Sequence, residues 1–96
     1  MLFQFHPEAT SEFKNAVRYY RSIDNKLSHQ FIKELKFTLQ NIQQFPQAWT
    51  LVDITIRRCL LNRFPFAVIY HVAQDNIYIL AVMNLNRKPN YWQDRL

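Results

Sequence analysis

Two helical stripes precede a run of short apolar strands. Ala9, Phe13, Ala16, Val17 and Tyr20 recur at three- and four-residue steps, the signature of one helix face. Pro7 suits the first helical position, where its missing N–H costs nothing. Glu8 and Glu12 follow in the first turns, where negative charge favours the helix dipole. The pattern predicts a first helix over residues 7–22. Asp24 is a fitting N-cap for a second. Leu27, Phe31, Leu35, Leu39 and Ile42 form its apolar stripe, and Pro46 stops it, which predicts a helix over residues 26–45. So short a connection folds the two helices into an antiparallel hairpin.

Strands are predicted at residues 2–6, 54–61, 66–72 and 77–83. Residues 73–76 form the turn between the last two, with Asp75 and Asn76 in the place of glycine. The later runs are apolar on alternate and intervening positions, so the sheet should be buried on both faces. Short links make its last three strands an antiparallel meander. The tail from Asn84 is polar, basic and aromatic, with a short helix expected from Asn90. The expected class is α+β, a single domain over residues 1–96. An N-terminal antiparallel helix hairpin packs on a small, mainly antiparallel β-sheet, with a short C-terminal helix.

Composition agrees with a packed core. Hydrophobic residues make up 49% of 96, so neither disulfide nor metal is needed for folding. The one cysteine, Cys59, lies in a strand, where a free thiol is core filling sooner than a nucleophile paired with His71. By alternation Tyr70 and Val72 take the buried face, which leaves His71 at the rim. His6, His29 and His71 are scattered, so no metal site and no cofactor is expected. Glycine is absent, against an average usage of about 7%. A phosphate-cradling loop and a hydrolase nucleophile elbow both need it, which argues against the common nucleotide-dependent enzymes. The N-terminus has no basic-then-apolar leader. The longest apolar run, residues 77–83, falls well short of the roughly 20 a membrane helix needs. No membrane partner and a cytoplasmic location are therefore expected.

The net charge of +5 is uneven. Residues 54–96 hold six Lys/Arg against two Asp, and the first 53 are nearly balanced. Arg57, Arg58 and Arg63 form one basic stretch; Arg87, Lys88 and Arg95 form another, interleaved with Tyr91 and Trp92. Arginine binds phosphate and carboxylate in bidentate fashion, and aromatic rings offer stacking faces. Such a surface suits RNA or an acidic protein segment. The alternative for Tyr91 and Trp92 is that they fold back and cap the core. The expectation is that the two basic stretches meet on one exposed patch.

Several local patterns together resemble the RelE/ParE superfamily of toxins from bacterial type II toxin–antitoxin pairs. They are His6-Pro7-Glu8-Ala9, Phe45-Pro46, Ile56-Arg57-Arg58, Arg63-Phe64-Pro65-Phe66, Ile79-Leu80-Ala81-Val82 and Asn86-Arg87-Lys88-Pro89 with Tyr91-Trp92 and Arg95. The resemblance implies two helices against a mostly antiparallel sheet. It also implies a cognate antitoxin whose C-terminal segment wraps the toxin and blocks its working surface. RelE-like members cleave mRNA on the ribosome; ParE-like members poison DNA gyrase. For the nuclease branch, Arg58 (or Arg57), Arg87 and Tyr91 stand as catalytic candidates. That branch places an arginine on the central strand where this chain has Ala67. The Pro89-Asn90-Tyr91-Trp92 tail is also more ParE-like, so the resemblance favours a growth-inhibiting, plasmid-stabilising toxin directed at gyrase. A relative that only binds its antitoxin is the third reading. Target or antitoxin contacts are expected at Arg57, Arg58, Arg63, Arg87, Lys88, Tyr91, Trp92 and Arg95.

Overall fold

The chain opens with a strand, β1 (Leu2–Phe5), which stops where Pro7 begins helix α1 (Pro7–Ile23). These bounds come from a computed structural model that describes residues 1–96. His6 is the N-cap of α1. Its Nδ1 accepts from the Glu8 N–H at 3.1 Å, which satisfies one free donor of the first turn. Asp24, in extended conformation, ends α1 and caps α2 (Asn25–Gln44), its Oδ1 accepting from the Lys26 N–H at 2.9 Å. With one residue between them the helices return as a packed hairpin. Both predicted helices are present, their ends shifted by a single residue.

The meander is β3 (Ile56–Leu60), β4 (Phe66–Ala73) and β5 (Asn76–Asn84), all antiparallel. β1 adds to it in parallel alongside β5, and β2 (Thr50–Leu51), absent from the sequence pattern, pairs with β3. The order is β1-β5-β4-β3-β2. The third strand begins later than expected: Ile54 is 90% exposed and lies outside it. The β4–β5 turn places its left-handed residue at Gln74 (φ 56°), instead of at Asp75 or Asn76.

A bulge explains the unbroken apolar run of β5. Ile69 pairs with Ala81 and Tyr70 with Ile79, so Leu80 is an extra residue. The insertion resets the alternation. Ile77, Ile79 and Val82 face the helices, while Leu80 and Ala81 both face the other side. The sheet is thus covered on both faces. On one face the helices close over an aromatic knot of Tyr20, Phe31, Phe64 and Phe66. Phe31 lies 5.1–5.3 Å from the other three ring centroids, edge-on to Phe64 and Phe66. On the other, the tail covers Ile56, Ala67, Ile69, Leu80 and Ala81 with Trp92. The expected C-terminal helix is reduced to a single 3-10 turn, Gln93–Arg95. Asn90 holds φ at 66°, a left-handed conformation that a helix cannot propagate through. No helix is long and apolar enough to cross a membrane.

Candidate functional site

β1 pairs only with Asn76–Ile79, so the rest of β5 has lost its neighbour on that side. An open strand edge invites unwanted pairing. Here two side chains take up its backbone groups. The Val82 N–H donates to Glu12 Oε1 at 3.1 Å, and the Leu80 carbonyl accepts from Arg95 Nη1 at 3.0 Å. Glu12 and Arg95 then bond to each other through both carboxylate oxygens, at 2.9 and 3.1 Å. Their side chains are 15% and 8% exposed. An ion pair so shielded is stable because every partner is bonded, and removing one member would strand the other. Glu8, at 3.5 Å from Arg95 Nε, is the exposed outer contact.

Tyr91 completes this knot. Its hydroxyl donates to Glu12 Oε2 at 2.6 Å, and the Arg87 guanidinium carbon lies 4.0 Å from its ring centroid. That of Arg95 lies 4.9 Å away. Burial, then the hydrogen bond and charge of Glu12, push the Tyr91 hydroxyl well above the ordinary tyrosine range; Arg95 and Arg87 oppose this only in part. For Arg95, Glu12 overcomes the opposing effect of burial and raises its pKa further.

Beside the knot lies a groove of about 460 Å³ between α1 and the ends of β4 and β5. Tyr19, Ile23, Pro65, Phe66, Arg87 and Tyr91 are among its walls. Tyr19 and Ile23 are 61% and 58% exposed, so the helix side of the groove has an apolar lip. Asn15, Asn84 and Asn86 add amides to its lining.

The first basic stretch is divided between the two faces of the sheet. Arg57 and Arg58 alternate across β3. Arg57, in register with Tyr70, lies on the helix side and donates to the Trp49 carbonyl at 2.7 Å. Arg58 belongs to the opposite face with Ile56. Arg63 is exposed in the β3–β4 loop, its N–H donating to Glu34 of α2. Of the expected contacts, Arg87 and Tyr91 line the groove and Lys88 is exposed next to them. Trp92 and Arg95 need correction. Trp92 is 2% exposed against the sheet, and Arg95 is consumed by Glu12, so neither offers its side chain to a partner while the tail is seated. The apolar gain of seating an indole and the charge of Glu12 explain why both turn inward.

Cys59 and His71 do not form a pair. Cys59 is buried on the helix side, where burial pushes its thiol up to about 11. His71, half-buried, has Nδ1 3.3 Å from the carbonyl of Thr55, the residue just before β3. No three His, Cys, Asp or Glu side chains gather as metal ligands would. The residue missed from sequence is Glu12, read as a dipole partner of Glu8. Its signal was position: Glu12 lies between Ala9 and Ala16 on the buried stripe of α1, which turns it inward.

A helix hairpin on one face of a five-stranded sheet, with a tail seated on the other, defines a small α+β domain with one aromatic and cationic edge. The family model described as the ParE toxin of the type II toxin–antitoxin system parDE matches residues 3–89, and the chain belongs to that family. Among solved structures it is similar to a chromosomal ParDE toxin–antitoxin system from P. aeruginosa, with a TM-score of 0.77 and 17% identity. The match covers 90% of this chain and 97% of that one, a likeness of fold. A search of curated proteins finds no match.

Proposed function

We propose that this chain is a growth-inhibiting toxin that binds DNA gyrase and is neutralised by a cognate antitoxin. The family match over residues 3–89 carries this reading. Arg63, Arg87 and Lys88 are exposed cations free to meet an acidic partner. An acidic, partly disordered antitoxin would complement the net charge of +5, order on binding and cover the working surface. Salt should weaken that capture, because exposed charges are screened beyond roughly 10 Å at 0.1 M.

Binding suits these residues better than mRNA cleavage. A nuclease needs a base for the ribose 2′-OH, with a pKa near the working pH. Tyr91, the candidate nearest to that role, donates its proton to Glu12 and has its pKa driven upward. Arg58 is not among the residues that line the groove of Arg87 and Tyr91. Ala67 is buried and supplies no charge.

The test is a supercoiling assay with purified gyrase. Inhibition that is relieved by the antitoxin supports the proposal. Unaffected supercoiling at protein levels that arrest growth would exclude gyrase as target. New mRNA ends in arrested cells would point to the ribosome and message instead, and normal growth on overexpression to an inactive antitoxin binder.

A further inference from the structure

We propose that Glu12 is a positioning residue for Arg87, acting through the ring of Tyr91. The effect on toxicity rests on the proposed contact role of Arg87; the positioning itself does not.

Arg87 is exposed, and its side chain has neither an ion pair nor a hydrogen bond of its own. What holds the guanidinium is the face of Tyr91, at 4.0 Å. A cation on an aromatic face keeps all its N–H donors free, so a side chain held this way is both oriented and available. The orientation is only as good as that of the ring. Tyr91 has one polar atom, and its short bond to Glu12 Oε2 is what ties it down. Glu12 is in turn immobilised by the Val82 N–H and by both terminal nitrogens of Arg95. The sequence of contacts runs from the β5 backbone through Glu12 and Tyr91 to a cation at the groove. Capping the Val82 N–H requires only Oε1 of Glu12. The bond from Oε2 to Tyr91 is additional, and it is the one that aims Arg87.

The test compares Glu12→Gln and Tyr91→Phe in the full chain with Arg87→Ala. In the unaltered protein the Tyr91 ring current should shift the Arg87 δ-methylene protons upfield in NMR. Both Glu12→Gln and Tyr91→Phe should move them toward the free-chain value, while amide shifts of β4 stay in place. Tyr91→Phe keeps the ring and all of Glu12, so it reads positioning even if Glu12→Gln loosens the tail. Growth-arrest potency should fall by about two- to fivefold in either variant, the size of one exposed cation–aromatic contact. Neither should add a further loss in an Arg87→Ala background, because the losses share one route. Persistent shielding of Arg87 in both variants would overturn the proposal, as would losses that add fully to Arg87→Ala. Should Arg87→Ala alone leave growth arrest unchanged, the contact role of Arg87 fails, and the shielding still decides whether Glu12 positions it.

Discussion

Replacing Trp92 by alanine tests whether the tail is part of the fold or only lies on it. The indole is 2% exposed and packs on Ile56, Ala67, Ile69, Leu80 and Ala81. A buried aromatic hides roughly 150–250 Å², which at about 25 cal/mol per Å² corresponds to about 4–6 kcal/mol. Mutational losses for Trp→Ala in cores run at about 3–5 kcal/mol. A domain of this size has only about 5–15 kcal/mol in total, so Trp92→Ala should remove roughly a fifth of it or more. Urea unfolding of the purified chain measures this. The midpoint should fall sharply with little change in slope. Hydrogen exchange should accelerate first at Leu80 to Val82, where the tail and Glu12 shield the strand edge. Trp92→Phe, which keeps most of the apolar area, should lose less than half as much. A loss below about 1 kcal/mol, with exchange at β5 unchanged, would refute the reasoning, since that is the scale of a surface substitution.

Three further outcomes rest on buried titratable groups, a helix cap and a tight turn. Stability should fall at alkaline pH, because burial raises Cys59 from 9.0 to about 11 and Tyr70 from 10.0 to about 12. The folded chain holds both protons after the unfolded chain has lost them, so this stability is complete below about pH 9 and is lost as pH rises toward 12, at about 2–3 kcal/mol per group. Melting temperatures across that range check it, and Cys59→Ala should remove the earlier step. Asp24→Ala should lower stability by about 1 kcal/mol in denaturant titration, because it deletes the side-chain cap of α2. Gln74→Gly should raise it by up to about 1 kcal/mol, since glycine holds a positive φ without strain; an unchanged or lower midpoint would contradict the turn geometry.

Much of the fold was legible because it is governed by local rules. Pro7 and Asp24 act within one turn of their own position, so the helix starts could be read to within a residue. The steps of Leu27, Phe31 and Leu35 placed one face of α2 toward the sheet. β2 was not legible, since two residues carry no period. Nor was the parallel pairing of β1 with β5, which depends on a contact across most of the chain. The β5 bulge lay in plain sight as an apolar run without alternation. Such a run implies a strand buried on both faces, but an extra residue at Leu80 is visible only once β4 supplies the register.

The site was harder to read, for a reason of charge and distance. Basic residues in a sequence suggest a surface because cations are usually exposed. That holds for Arg63, Arg87 and Lys88, and fails for Arg95, whose partner stands 83 residues earlier. Glu12 and Arg95 each look like one more charge when taken alone. Together they neutralise each other, cap a strand edge and fix Tyr91. The +4 balance of residues 54–96 therefore overstates what a partner meets, because Arg95 is spent internally and Arg57 is turned onto the Trp49 carbonyl. A glutamate on the apolar stripe of a helix, in a chain whose surplus cations lie at the other end, calls for a search for its counter-ion there. Exposed charge has to be counted after such pairs are removed, and what then remains at the groove is Arg87 on its tyrosine.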